Sequence, residues 1–489
     1  MAFKSQLHFI LFPYMAQGHM IPMIDIARLL AQHGVIITII TTPLNSKRFA
    51  STLARAVESG LQIHLLEVPF PSEESGLPKG CENLDMLPTL GLGIDFVSAT
   101  NFLQEPVERL LEKIQPRPNC IISDMCLPYT SRVASKFQTP RIAFNGFCCF
   151  TMLCILRLYT SQILESVTSK SEYFQLPNLP DHIEVTKEQL PDATHQNMQI
   201  FNDQVMAAET VSYGIIYNSF EELEPAYVQE FKKARGDKVW CIGPVSLCNK
   251  DDLDKLQRGD KASVDEHKCF KWLNSQTQES VLYVCFGSLC NLITSQLIEL
   301  GLALEESKKP FIWVLRGGGK STQIEKWIEE DGFEERIKGR GLLIRGWAPQ
   351  VAILSHAAVG GFLTHCGWNS SLEGICAGKP MVTWPLFADQ FLNERLVVDV
   401  LKIGVRAGTE VTVPWGEEDK IGVVLKRKDI KRAIDRLMDG GEESEEMKKR
   451  ANELSRMAKE AIEPGGSSHV NMEMLIQDIM RQTFVMESA

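Results

Sequence analysis

At 489 residues the chain is too long for one ordinary core and of a size for two domains, because single hydrophobic cores stop growing near roughly 250 to 300 residues. Apolar residues at 44% and charged residues at 23% exclude a disordered or fibrous chain. A formal charge of −11, with no long Lys/Arg block, excludes a positive field that would draw nucleic acid or anionic lipid.

In chain order, the apolar run Leu7 to Phe12 has no basic leader or small-residue cleavage site and is cut by Pro13, so it reads as a buried strand and not a signal peptide. A helix around Pro22 to His33, closed by Gly34, and a second β-branched run, Val35 to Thr41, complete a βαβ unit. Cys120 to Ile122 and Arg141 to Phe144 read as further strands. Phe147 to Leu156, the longest apolar stretch, is about half of the roughly 20 residues needed to cross a bilayer, so no membrane span is expected. The thirteen cysteines are odd in number, lack any Cys-x-x-Cys pair and mostly sit in such apolar runs, which fits small core residues of a cytoplasmic protein. After the strand-like Val239 to Ile242 and a Gly243-Pro244 turn, Asn249 to Lys261 is polar, charged and without apolar period, a linker. The rhythm then returns with Val281 to Phe286, a helix from Ser295 to Ser307, Phe311 to Leu315 and Gly360 to Thr364. Glu442 to Lys459 reads as an exposed charged helix and Val470 to Phe484 as a final amphipathic one. The expected division is an N-terminal domain 1–248, a linker 249–265, a C-terminal domain 266–469 and a C-terminal helix 470–489 packing back on the N-terminal domain, each domain a doubly wound α/β unit.

Gln17-Gly18-His19 follows the first strand, which sets His19 at the carboxyl edge of the N-terminal sheet, and Asp124 ends another parallel strand at the same edge. A histidine titrating near neutrality with a carboxylate behind it suits proton removal from an alcohol, worth about 10² to 10⁴ in rate; a lone histidine after a strand is, however, more often structural. The densest signal runs from Trp347-Ala348-Pro349-Gln350 through His365-Cys366-Gly367-Trp368-Asn369-Ser370-Ser371-Leu372-Glu373-Gly374 to Asp389-Gln390. Its strand Gly360 to Thr364 ends in a glycine turn before a helix opening at Ser370, whose backbone N–H groups attract phosphate. His365, Asn369 and Ser370 add side-chain donors there. Ser370 to Glu373 reads equally as a capping box that needs no ligand, and Trp347 taken alone as a core aromatic.

That block resembles the signature box of plant secondary-product glycosyltransferases, as does the layout of the whole chain. The resemblance implies the α/β GT-B fold, two Rossmann-like domains facing a cleft, and an inverting transfer of glucose from UDP-glucose. It places Ala348 among the donor-binding residues and assigns uracil to Trp347, the ribose to Gln350 and Glu373, and the diphosphate to His365, Gly367, Asn369, Ser370 and, after a Phe286-Gly287 turn, Ser288. Trp368 lies beside the sugar, whose hydroxyls go to Asp389 and Gln390, the terminal Gln favouring glucose over galactose. His19 becomes the base and Asp124 its orienter. No cofactor beyond the UDP-glucose co-substrate and no metal are expected, and the protein is expected to act as a monomer. The acceptor is a hydroxyl, or carboxyl, of a small lipophilic plant metabolite, a triterpenoid or sapogenin first and a flavonoid next. Its pocket is expected beside His19 around Tyr14, Met15, Met86, Phe96, Phe144 and Phe147, any of which also reads as core. Another UDP-sugar, a silent nucleotide-sugar-binding protein and an epimerase are the alternatives.

Other signals carry less. Gly317-Gly318-Gly319-Lys320-Ser321 looks like the end of a P-loop but has Val314 where that motif needs glycine. Asp252-Leu253-Asp254 recurs as a metal motif in another glycosyltransferase class, yet sits in the linker with no strand ahead. Asn369-Ser370-Ser371 is a formal glycosylation sequon inside the proposed phosphate cradle, and no Gly-x-Gly-x-x-Gly follows the first strand. Asn145-Gly146 stands where family members often carry a hydroxyl residue near the sugar. Ala357 and Ser371 stand for a common proline and threonine, with no consequence expected.

Overall fold

The structure, a computed structural model, describes residues 6–191, 196–263, 265–290, 292–315 and 321–488. The glycine run at 317–320 lies outside them. The N-terminal half contains β1 (His8–Phe12), β2 (Ile36–Thr41), β3 (Ile63–Glu67), β4 (Cys120–Asp124), β5 (Arg141–Asn145), a short antiparallel pair β6 (Phe174–Gln175) and β7 (Glu184–Val185), β8 (Gly214–Tyr217) and β9 (Val239–Cys241). Apart from that pair, these strands form one seven-stranded parallel sheet in the order β3-β2-β1-β4-β5-β8-β9. The C-terminal half adds β10 (Val281–Cys285), β11 (Phe311–Leu315), β12 (Gly341–Arg345), β13 (Val359–Thr364), β14 (Met381–Thr383) and β15 (Gly404–Arg406), parallel in the order β12-β11-β10-β13-β14-β15.

Strands such as β1, β4, β5, β10 and β11 are buried along their whole length, as the strands of a parallel sheet covered by helices on both faces must be. In each sheet the order reverses once, between β1 and β4 and between β10 and β13. Open α/β sheets bind ligands in the crevice at the carboxyl ends of such a pair. The register sets those ends level, Phe12 beside Ser123 in one sheet and Cys285 beside Thr364 in the other.

The first helix departs from its expected start. It runs Gln17–Gln32 and carries Pro22 inside it. A proline there has no N–H for the carbonyl four residues earlier, that of Gly18. That oxygen accepts instead from the Asn369 amide of the other domain, so the backbone group freed by Pro22 ties the two halves together. The helix in the signature block likewise starts earlier than expected: it spans Trp368–Cys376 with Gly367 as N-cap. Ser370 therefore lies inside the first turn, and the Ser370–Glu373 capping box does not form.

The linker is not structureless. Asp252–Leu256 is helical, and Asp254 is buried and ion-paired to Arg28 and, at 2.8 Å, to Arg55. Those contacts fasten the linker to the N-terminal domain and leave Asp254 no metal-ligand role. The last helix runs Ser467–Ser488. Its Met472, Leu475 and Ile479 bury into the cluster that contains Phe9, Leu11 and Ile37, and its Asp478 accepts from the Tyr213 hydroxyl at 2.9 Å. Among the described residues no helix is long and apolar enough to cross a membrane.

Candidate active site

The two reversal points open onto one cavity of about 1070 Å³. From the N-terminal domain, β1 delivers His19 and β4 delivers Asp124. Their side chains meet at 2.8 Å, Nδ1 to Oδ2. Asp124 is fully buried, and its other oxygen accepts the Cys126 backbone N–H at 2.9 Å. The carboxylate is thus held from one side and aimed at the imidazole from the other, which leaves His19 Nε2 for the cavity. Tyr14 packs edge-on against the His19 ring, centroids 5.3 Å apart. Burial alone lowers the His19 pKa, but the Asp124 carboxylate, by charge and hydrogen bond, and the more distant Asp389 outweigh it, so His19 titrates above its ordinary value. Cys126 brings a third metal-ligand type of atom within 4.8 Å of this pair. Burial, then the Asp124 charge, pushes its thiol well up.

From the C-terminal domain, all twelve residues expected at the donor line the same cavity: Ser288, Trp347, Ala348, Gln350, His365, Gly367, Trp368, Asn369, Ser370, Glu373, Asp389 and Gln390. The His365 imidazole is wedged between two glycines: a Cβ at Gly287 would lie 2.6 Å from its Nε2, and one at Gly367 2.4 Å. Both turns therefore need glycine for the ring to sit at the mouth of the helix Trp368–Cys376, whose first N–H groups are unpaired by the helix itself and whose first residues line the cavity. Gly367→Ala is expected to displace that ring and raise the Kd for UDP about 10- to 100-fold, the worth of one hydrogen bond to a charged group. Isothermal titration with UDP checks this.

Several side chains are already engaged. Trp368 donates its indole N–H to the Asn218 carbonyl at 2.8 Å, and Asn369 accepts from Asn218 at 3.0 Å, so both also join the domains. Glu373 accepts from Gln350 at 2.8 Å and from Arg258 of the linker, and Arg258 in turn pairs with Asp25 at 2.8 Å. Linker residue Gly259 packs so close to the Trp347 indole that a Cβ would lie 2.3 Å from it. Gln390 spends its amide oxygen on the backbone N–H groups of Leu386 and Phe387, at 2.8 and 3.1 Å, leaving its NH₂ to offer. Burial pushes the Asp389 carboxyl up to about 6, against the Asn393 hydrogen bond at 2.5 Å and the nearby His19 charge.

The acceptor side differs from expectation. Tyr14 and Phe147 line the cavity, but Met15, Met86, Phe96 and Phe144 do not. Met15, Phe96 and Phe144 are core residues, and Phe96 backs Tyr14 at 6.3 Å. Asn145 is also buried, capping the Phe147 N–H at 3.1 Å, and only Gly146 reaches the cavity, 3.5 Å from His19 as measured from a built Cβ. The apolar wall comes instead from Met152, Ile155, Leu158 and Tyr159 on the helix Cys149–Ser161 and from Met198, Phe201, Val205 and Met206 on the helix Gln196–Thr210. These spacings of three and four are a visible signal, but a helical apolar stripe reads equally as core. Trp415 closes the wall from the opposite domain, against Gly93, where a Cβ would stand 2.4 Å from the indole.

Two Rossmann-like halves whose reversal points share one cavity are the GT-B architecture. The model of the UDP-glucoronosyl and UDP-glucosyl transferase family matches residues 249–457, and that of the glycosyltransferase N-terminal domain matches residues 5–247. The chain is 55% identical over 478 residues to UDP-glycosyltransferase 73C12 of Barbarea vulgaris, covering 97% of each, and 56% identical over 481 residues to UDP-glycosyltransferase 73C1 of Arabidopsis thaliana, covering 98% of each. The crystal structure of UGT73P12 from Glycyrrhiza uralensis, complexed with glycyrrhetinic acid 3-O-monoglucuronide, superposes with a TM-score of 0.91 at 39% identity, over 99% of this chain and 98% of that one. The chain belongs to the plant UDP-glycosyltransferases.

Proposed function

We propose that this UDP-glycosyltransferase moves glucose from UDP-glucose to a hydroxyl of a polycyclic lipophilic alcohol, a triterpenoid first and a flavonoid second, with inversion at the anomeric carbon. The observation that carries this reading is the buried His19–Asp124 pair opening onto the cavity that all twelve donor-side residues line. The acceptor hydroxyl hydrogen-bonds to His19 Nε2, which takes its proton as the oxygen bonds to C1 of the sugar and the bond from C1 to the diphosphate breaks. Asp124 holds the tautomer and stabilises the imidazolium. The departing diphosphate is met by His365, Ser288, Asn369, Ser370 and the N–H groups of the helix Trp368–Cys376, donors already oriented before charge develops. Trp347, braced by Gly259, stacks on uracil, and Glu373 with Gln350 receives the ribose.

Glucose is favoured by Gln390, which lines the cavity beside Asp389 with its amide oxygen held by backbone N–H groups. The triterpenoid class is supported by the apolar walls on two helices and by the glycyrrhetinic acid glucuronide in the 39% identical UGT73P12. Both halves of the site come from one chain, so a monomer suffices. Cys149 and Cys241, buried as free thiols 3.9 Å apart, suit the reducing cytoplasm. Purified protein is incubated with UDP-glucose and pooled triterpenoid, flavonoid and steroid alcohols, with and without a chelator, and products are read by mass spectrometry. Chelator-resistant gain of one hexose on a triterpenoid is expected. Gain on flavonoids alone would overturn the acceptor class, and donor binding without any transfer would return the chain to a binding protein or an epimerase.

A further inference from the structure

Gln17 stands apart from the other polar residues of the cavity. It is 2% exposed, lines the cavity, and neither its amide nitrogen nor its amide oxygen has a hydrogen-bond partner among the described residues. A buried amide that makes no bond costs stability, and folded chains rarely keep one without use. Gln17 is the first residue of the helix Gln17–Gln32, two positions before His19, and its neighbour Gly18 accepts from Asn369 at the N-terminus of the facing helix. Two helix N-termini therefore converge at this point, one from each domain, and Gln17 is the uncommitted side chain between the base and the proposed diphosphate cradle. Ala16, the N-cap of the first helix, has no side-chain cap to offer its free N–H groups.

We infer that the Gln17 amide contacts the donor where the sugar meets its diphosphate, giving the N-terminal domain its own hold on the leaving group. The inference rests on the donor orientation proposed above. An amide offers a donor and an acceptor side by side, the NH₂ for an anionic phosphate oxygen and the carbonyl for a sugar hydroxyl, and a site rich in both uses both ends. The contact also links donor binding to the N-terminal domain, because an amide with no partner among the described residues gains one from the donor.

The test uses Gln17→Met, of similar shape without the amide, and Gln17→Glu, which sets a carboxylate against the diphosphate. The Met variant is expected to melt about 2–4 °C higher than the wild type in the absence of ligand, since an unsatisfied group has been removed. Its Kd for UDP-glucose is expected to rise about tenfold by calorimetry, with the KM for the acceptor unchanged. The Glu variant is expected to bind UDP-glucose more weakly still. A Met variant that loses thermal stability together with activity would show a structural amide and overturn the inference, as would one that binds UDP-glucose as the wild type does. If the wild type itself fails to bind UDP-glucose, the donor reading falls and this inference with it.

Discussion

His19→Ala is expected to lower the rate of sugar transfer by a factor of about 10² to 10⁴, the range that general-base catalysis supplies, while the Kd for UDP stays within about twofold. The separation follows from the architecture: His19 follows a strand of the N-terminal sheet, whereas the residues proposed to hold uracil, ribose and most of the diphosphate follow strands of the C-terminal one. Asp124→Asn costs less, because the imidazole remains and loses only its orienting charge. The pH profile tells the two apart from a general loss of structure. Only the neutral imidazole accepts a proton, and the Asp124 carboxylate holds His19 above its ordinary pKa, so in the wild type transfer rises with pH through that raised value. In Asp124→Asn the larger raising charge and its hydrogen bond are gone, burial is opposed only by the more distant Asp389, and the acid limb is expected to move to lower pH. Near-normal turnover in His19→Ala would remove the base assignment, and an acid limb that stays put in Asp124→Asn would remove the pairing.

The second large effect is expected at Arg258, which the sequence presents only as one charge in a polar linker. Its guanidinium is 8% exposed and sits between Asp25 of the N-terminal domain, at 2.8 Å, and Glu373 of the donor helix. Arg258→Met strands two buried carboxylates, and breaking a buried pair costs about 3–5 kcal/mol. The loss should appear in urea unfolding. It should also raise the Kd for UDP-glucose, because Glu373 is no longer held toward the cavity. Arg258→Lys retains one charge but not a fork that reaches both carboxylates, so an intermediate loss is expected. An Arg258→Met variant as stable as the wild type would show that the bridge contributes nothing net.

Legible in the chain alone were the features that local pattern dictates. Unbroken β-branched runs such as Ile36–Thr41 can only be satisfied when buried on both faces, and their alternation with amphipathic helices specifies two parallel sheets. Dense motifs at strand ends then led to His19, Asp124 and the twelve donor-side residues, since a side chain at the end of a parallel strand, in the turn after it or in the first turns of the next helix stays near that strand's carboxyl edge. Helix starts were less legible. Pro22 looks like a first-turn proline, and only the distant Asn369, which takes up the carbonyl it frees, lets the helix begin at Gln17.

What tertiary structure decided is everything that depends on which face of an apolar element meets a void. Phe96 and Phe144 carry the same signal as Tyr14 and Phe147, and packing alone sent the first pair to the core and the second to the cavity. Met152 and Met206 were equally ambiguous, because the hydrophobic effect has no direction and an apolar stripe does not encode whether protein or ligand will cover it. The same holds for the polar contacts that join distant segments. Arg28 with Asp254, Arg258 with Asp25 and Glu373, and Trp368 with Asn218 each link residues at least 115 positions apart, and nothing in either local sequence names the partner. The chain states its strands and its chemistry residue by residue, and the fold alone states which of those residues touch.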